Sequence, residues 1–339
     1  MKKRVITGIL AGFGVLLLIL DSRTALTGAQ AGIELCLHSV VPSIFPFIVL
    51  TGMLSASICV AKFRFLYPLG KLLGIPKGSE GLFLTGILGG YPTGALAVHQ
   101  AWKSGHLRKQ DAQRMLAFCS NAGPAFLFGI LGSAFPNSWM LWVLWLIHIA
   151  SAILVGIVLP GKSDAACIVS SAQSPTFTKS VKSAVVTMGY ICGWIVLFRI
   201  VLAFCDRWFL WLLPQTAQVG FYGILELANG CLTVDGLPSL GARFILSSGM
   251  LAFGGLCVFM QTTSVIGSLG TGFYLCGKAL QTLFSILLSW TAQWMLFSGS
   301  EKIALSPFLL VLLGIIATIL VSITRKSKNR GSIPQLFGV

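Results

Sequence analysis

Apolar residues run along this chain in long blocks, and Gly, Pro and small polar residues interrupt those blocks at recurring places. Residues 5–20 form a clean apolar run behind Met1-Lys-Lys-Arg4. Further apolar stretches follow at 31–60, 138–159, 183–205, 243–268, 271–297 and 303–323. A membrane-crossing helix needs about 20 mostly apolar residues, so the chain has room for roughly eight to ten such segments. The segment 31–60 carries Pro42 and Pro46, and two prolines four apart predict a kink or break. Glu34 and His38 share a helix face at that spacing, as an interfacial or bundle-facing polar stripe. Residues 61–79, with Pro68, Gly70, Gly74, Pro76 and Gly78, read as a loop.

The most informative stretch is 80–133. An apolar arm is broken at Gly89-Gly-Tyr-Pro-Thr-Gly94, a basic connector follows over 102–114, and a second apolar arm is broken at Ser120-Asn-Ala-Gly-Pro124. Irregular backbone at membrane depth is tolerated only where it is buried in protein or lines a wet cavity. Such breaks therefore point to a binding site. Pro92 and Pro124 suit the first turn of short half-helices, and Thr93, Ser120 and Asn121 are candidate caps. The N–H groups exposed there would favour an anion. The second half is broken at Glu226-Leu-Ala-Asn-Gly230 and Asp235-Gly-Leu-Pro238, and again within Gly249-Met-Leu-Ala-Phe-Gly-Gly255, shortly before Gln261-Thr-Thr-Ser264.

The halves echo each other. Gly86-Ile-Leu88 returns as Gly223-Ile-Leu225, 137 positions later, and Leu116-Ala-Phe118 returns as Leu251-Ala-Phe253, 135 positions later. Each copy stands next to a break, which is the mark of repeat-built secondary transporters. The expected organisation is an N-terminal transmembrane helix at 1–26, a first membrane repeat at 27–160 and a polar loop at 161–181. A second repeat at 182–324 and a basic cytoplasmic tail at 325–339 complete it. Whether the repeats are inverted depends on the number of true crossings, which the connector at 103–114 leaves open.

Composition agrees with a membrane protein. Of 339 residues, 55% are hydrophobic and 10% are charged, against about 25% charged in soluble domains. The net charge of +15 sits at segment ends, as in Lys2, Lys3 and Arg4 or Arg325, Lys326, Lys328 and Arg330, which is a positive-inside pattern and not a nucleic-acid surface. Asp21-Ser-Arg-Thr24 offers no small-residue cleavage site, so 5–20 is expected as a retained span with its N-terminus inside. The nine cysteines are scattered singly without metal or redox spacing. No phosphate loop, zinc-protease motif or nucleophile elbow occurs, so neither an enzyme nor a cofactor is expected.

The candidate site residues are therefore intramembrane polar groups and breaks. Arg199 lies inside Trp194-Ile-Val-Leu-Phe-Arg-Ile-Val201, where a central Arg costs about 2.5–3.5 kcal/mol on insertion scales and needs a partner. It is either an anion ligand or half of a structural pair with Asp206, Glu226 or a backbone carbonyl. Glu226, beside Asn229, is a candidate proton or Na⁺ site or a structural helix end. Gln261 and Thr262 are substrate contacts or interhelical glue. Gly90, Tyr91, Pro92, Thr93, Gly94, Ser120, Asn121, Gly123 and Pro124 complete the substrate-binding set.

Pro42-Ser-Ile-Phe-Pro-Phe47, Gly89-Gly-Tyr-Pro-Thr-Gly-Ala95 and Gln110-Asp-Ala-Gln-Arg-Met-Leu-Ala-Phe-Cys-Ser-Asn-Ala-Gly-Pro-Ala-Phe126 resemble the YlbJ family of sporulation integral membrane proteins. That family belongs with the nucleoside-recognition or Gate-domain proteins. The likeness spans about residues 30–325 and is sharpest at 85–133. It implies an all-α polytopic fold with two repeated halves and broken or re-entrant helices, similar to nucleoside transporters. It also implies a bacterial, mother-cell-derived membrane around the forespore, and movement of dipicolinate, a small planar dianion. The expectation is a secondary transporter or facilitator of a small organic anion, with H⁺ or Na⁺ coupling and oligomerisation open. The rivals are a nucleoside permease, for which Tyr91, Asn121 and Gln261 would outweigh Arg199, and a non-transporting membrane scaffold for spore assembly.

Overall fold

The computed structural model of the chain describes residues 2–60, 66–159, 161 and 176–297. The expected span at 303–323, the tail at 325–339 and most of the polar loop lie outside the described residues. What is described is helical throughout, with no strand. Five helical stretches are long and apolar enough to cross a membrane: Ser22–Met53, Ser138–Val158, Phe177–Trp208, Leu240–Leu269 and Gly272–Trp294. Large apolar side chains such as Val186, Leu197, Leu283 and Trp290 cover their outer surfaces, while Lys278, Gln281 and Ser285 are buried inside. This inversion of a soluble protein's arrangement suits a lipid environment and marks the chain as an α-helical membrane protein.

The N-terminal part consists of α1 (Lys2–Leu20), α2 (Ser22–Leu35) and α3 (Val41–Val60). The prolines do not break this segment. A five-residue π-helix, Cys36–Val40, joins α2 to α3 directly before Pro42, and Pro46 sits inside α3. The wider turn absorbs the misfit that a proline imposes on the i→i−4 ladder. Glu34 and His38 flank and enter that turn, and both are exposed, so they face away from the bundle. The predicted loop at 61–79 contains a short helix, α4 (Tyr67–Leu73), which ends on Gly74 in the left-handed conformation.

The first broken pair follows: α5 (Gly81–Gly89) and α6 (Thr93–Lys103), then α7 (Lys109–Cys119) and α8 (Pro124–Ile130). After α9 (Ser138–Val158) and α10 (Phe177–Trp208) comes the second: α11 (Gln215–Leu225) and α12 (Leu227–Thr233), then α13 (Leu240–Phe253) and α14 (Gly255–Ile266). The long helix α15 (Gly272–Phe297) closes the described chain. The breaks fall at 90–92, 120–123, 226 and 254, inside the interruptions read from sequence. Gly90 at φ 73° and Gly254 at φ 83° adopt backbone that a side chain disfavours.

Small residues let the elements approach. Gly28 and Gly32 stand four apart on α2, where an added Cβ would lie 2.9 Å from the Cα atoms of Ile200 and Val196 on α10. This is the small-xxx-small packing of membrane helices. A Cβ on Gly94 would lie 2.0 Å from the Cys119 carbonyl oxygen and 2.7 Å from the Gly86 Cα. Helix α15 packs along α7, α9 and α13, so it spans the molecule beside both sets of breaks.

Gly94→Val is expected to abolish the monodisperse peak of the detergent-purified protein. Gly189→Val on α10, where an added Cβ meets nothing within 4 Å, should leave both peak and melting temperature unchanged. Size-exclusion chromatography with a thermal melt checks both.

Candidate functional site

The breaks meet around one cavity lined from both halves of the chain. One wall is the α5–α6 break, from Leu88 to Tyr91. The α7–α8 break adds Ala122 and Gly123, with Ala125 and Phe126. The second half supplies Glu226, Leu227 and Ala228 from the α11–α12 break, and Val258 and Gln261 from α14. Ile44 and Phe47 of α3 and Ile191 and Ile195 of α10 close the remaining side. The lining is mainly apolar, with a few polar groups that converge on it, the usual composition of a small-molecule site.

Glu226 is 2% exposed. Its carboxylate accepts from the Ala228 and Asn229 backbone N–H groups at 3.1 and 2.7 Å, and from the Asn229 amide at 2.7 Å. It thus caps α12, with Asn229 as its support. No cation among the described residues pairs with it.

Behind Tyr91 lies the charged residue that sequence reasoning misses. Lys278 on α15 is 1% exposed. Its Nζ donates to the Tyr91 hydroxyl at 2.9 Å, the Ser120 carbonyl at 2.5 Å and Gln281 Oε1 at 2.6 Å. The Tyr91 hydroxyl donates in turn to the Leu251 carbonyl at 3.2 Å, at the end of α13. Gln281 Nε2 donates to Asn121 Oδ1 at 2.9 Å, and the Asn121 amide donates to the Phe118 carbonyl at 2.8 Å. His148, on α9, also enters the break, its Nε2 accepting from the Ala122 N–H at 3.0 Å. The signal for Lys278 is its register: Lys278, Gln281, Ser285 and Ser289 share one face of an otherwise apolar helix, and all are buried.

Of the sequence-derived candidates, Gly90, Tyr91, Gly123, Glu226 and Gln261 line the cavity. Ser120 and Asn121 belong to the Lys278 network beside it. Neither they nor Thr93 caps a half-helix. Pro92 and Gly123 occupy the N-cap positions of α6 and α8 without a side-chain bond, and Pro124 begins α8. Asn121 turns back to the C-terminal end of α7 because its amide finds the freed Phe118 carbonyl there. Pro92 and Gly94 serve the turn and the packing against Cys119. Thr262 is fully buried and donates to the Tyr274 hydroxyl at 3.4 Å, bridging α14 and α15, while Gln261 also reaches Cys257 Sγ at 3.3 Å.

Arg199 does not join this group. It pairs with Asp206 at 3.3 Å, and Asp206 also accepts from the Tyr222 hydroxyl at 2.6 Å. Residues 199 and 206 lie seven apart, two turns along α10, so the two charges meet on one helix face. Of the two roles open to it from sequence, the structural pair is the one realised. Glu226 and Asn229 are held to each other, so of the roles open to Glu226 the helix end is the one its bonds show.

Tyr91→Phe leaves Lys278 one acceptor short and should destabilise the protein by about 1–3 kcal/mol, the cost of an unmet buried bond. Arg199→Gln, which removes a part-exposed pair, should cost under about 1 kcal/mol. Thermal melts of the two variants side by side check the order. No protein-family model, curated protein or solved structure matches the chain.

Proposed function

We propose that the chain is a secondary transporter or facilitator that binds a small polar solute in the cavity between its broken helices. The single observation that carries this reading is the convergence of three breaks and α14 on one cavity. Discontinuous helices around a site near the bilayer midplane are how such carriers reconcile exposed backbone with a membrane.

Two repeated halves fit the same reading. An added Cβ on Gly94 would press on Gly86, and one on Gly230 would lie 2.4 Å from the Gly223 Cα. The partners of these two contacts stand 137 and 136 positions apart. Gly123 covers the Leu88 carbonyl as Gly255 covers those of Gly223 and Ile224. These parallels support a Gate-like arrangement of the kind the YlbJ resemblance implies.

The lining favours a neutral solute. Glu226 brings a carboxylate, Gln261 an amide and Tyr91 an aromatic ring, and among the described residues no arginine or lysine side chain lines the wall. That set suits a nucleoside, which offers hydroxyls, a base edge and a π-face. A small organic anion such as dipicolinate is the second reading, and the buried Lys278 charge directly behind Tyr91 favours it.

Proteoliposomes carrying the protein should take up labelled uridine saturably, with uptake cut about tenfold in Gln261→Leu, equal to the loss of one good polar contact of roughly 1.4 kcal/mol. Arg199→Gln should transport like the wild type. Uptake of dipicolinate alone would establish the second reading, and uptake of neither by folded protein would leave a membrane scaffold.

A further inference from the structure

The group that most needs an account is the Lys278 ammonium. Three oxygens surround Nζ at 2.5–2.9 Å, one for each of its N–H bonds. Two aromatic faces complete the enclosure, with the Tyr91 and Tyr274 ring centroids 5.0 and 5.9 Å away. Among the described residues no carboxylate pairs with it. Its charge is met by dipoles. The Ser120 carbonyl is freed where α7 stops at Cys119, and α7 is an eleven-residue helix whose C-terminal end carries partial negative charge. The Gln281 amide is locked with Oε1 toward Nζ, because its Nε2 is held by Asn121 and the His148 carbonyl.

Carbonyl oxygens at an unwound helix end, joined by a side-chain oxygen and a hydroxyl, are the donor set with which discontinuous helices hold a monovalent metal ion. We propose that Lys278 is a tethered cation: the α7–α8 break is a small monovalent-cation site built of Ser120, Gln281 and Tyr91, and the chain fills it with its own ammonium. The site stands on the geometry of α7 and α15 and does not depend on what the cavity binds. Its consequence for a carrier is that this break is held in shape without bound Na⁺.

The test uses the purified full-length protein in detergent, melted in chloride salts of Na⁺, K⁺ and NH₄⁺, with N-methylglucamine chloride as a cation too large to enter. Wild type should melt at one temperature in all four. Lys278→Ala should melt lower in N-methylglucamine and recover about half or more of the loss, saturably, in at least one small cation, as a ligand bound only to the folded state requires. Lys278→Met, whose side chain fills the space without charge, should recover in none. Recovery of the Met variant to the same extent would place the effect elsewhere and overturn the assignment. So would a folded Ala variant indifferent to the cation. Should the Ala variant be lost on extraction, the fraction of monodisperse protein is compared after extraction in ammonium and in N-methylglucamine. Rescue by ammonium alone supports the site, and equal loss in both contradicts it.

Discussion

A lysine ammonium buried among helix ends is the constraint on which the centre of this protein depends. Taking such a charge out of water costs several kcal/mol unless every N–H finds an oxygen. Here those oxygens come from three parts of the chain: Tyr91 in the first break, Ser120 in the second, and Gln281 one turn along the lysine's own helix. Tyr91 extends the tie to Leu251, at the end of α13. One side chain therefore fixes the relative positions of the α5–α6 and α7–α8 breaks and of α13. Breaking any one of these bonds leaves a buried polar group unmet, so the irregular backbone is tied at each of these points.

The cavity follows from that arrangement. Unwound backbone needs protein or a wet cavity against it, and the two sets of breaks face each other across this one. Glycine makes the approach physical: Gly123 lies over Gly90 so closely that an added Cβ would stand 3.0 Å from its Cα and N. Glu226 enters on the second half's side, held by the N–H groups of the helix it caps, so the wall presents a carboxylate whose direction is fixed. The apolar remainder, from Ile44 to Ile195, leaves Glu226 and Gln261 as the polar groups of the lining.

Much of this is legible in the sequence, for identifiable reasons. The breaks at 90–92 and 120–123 announce themselves because Gly and Pro in an apolar run have few other uses, and Glu226 because a carboxylate in such a run is costly. The spans at 138–159 and 271–297 agree with α9 and α15 to within a residue or so. Pro42 and Pro46 point to a kink or break from sequence, and nothing in the sequence shows that a π-turn is what absorbs them. Arg199 draws attention as an isolated charge, yet its partner Asp206 is on the same helix face two turns away, where i, i+7 spacing places it. Lys278 escapes notice because it lies near the start of an apolar helix, where a lysine can snorkel to the interface. Only its common face with Gln281, Ser285 and Ser289 distinguishes it, and packing against α7 and α9 decides that this face turns inward.

The claim most open to direct contradiction is the proposal that the cavity between the two sets of breaks binds a solute and is reached from water. Single cysteines placed at Ala125→Cys and Ala228→Cys, in a background with the native cysteines replaced, would face it from opposite halves. Measuring their reaction with a membrane-impermeant, charged thiol reagent in proteoliposomes tests the point. The account predicts that both positions react, and that a transported solute slows both. Reaction at neither position, with a lipid-soluble reagent labelling both, would show the cavity to be a dry packing defect and would contradict the account.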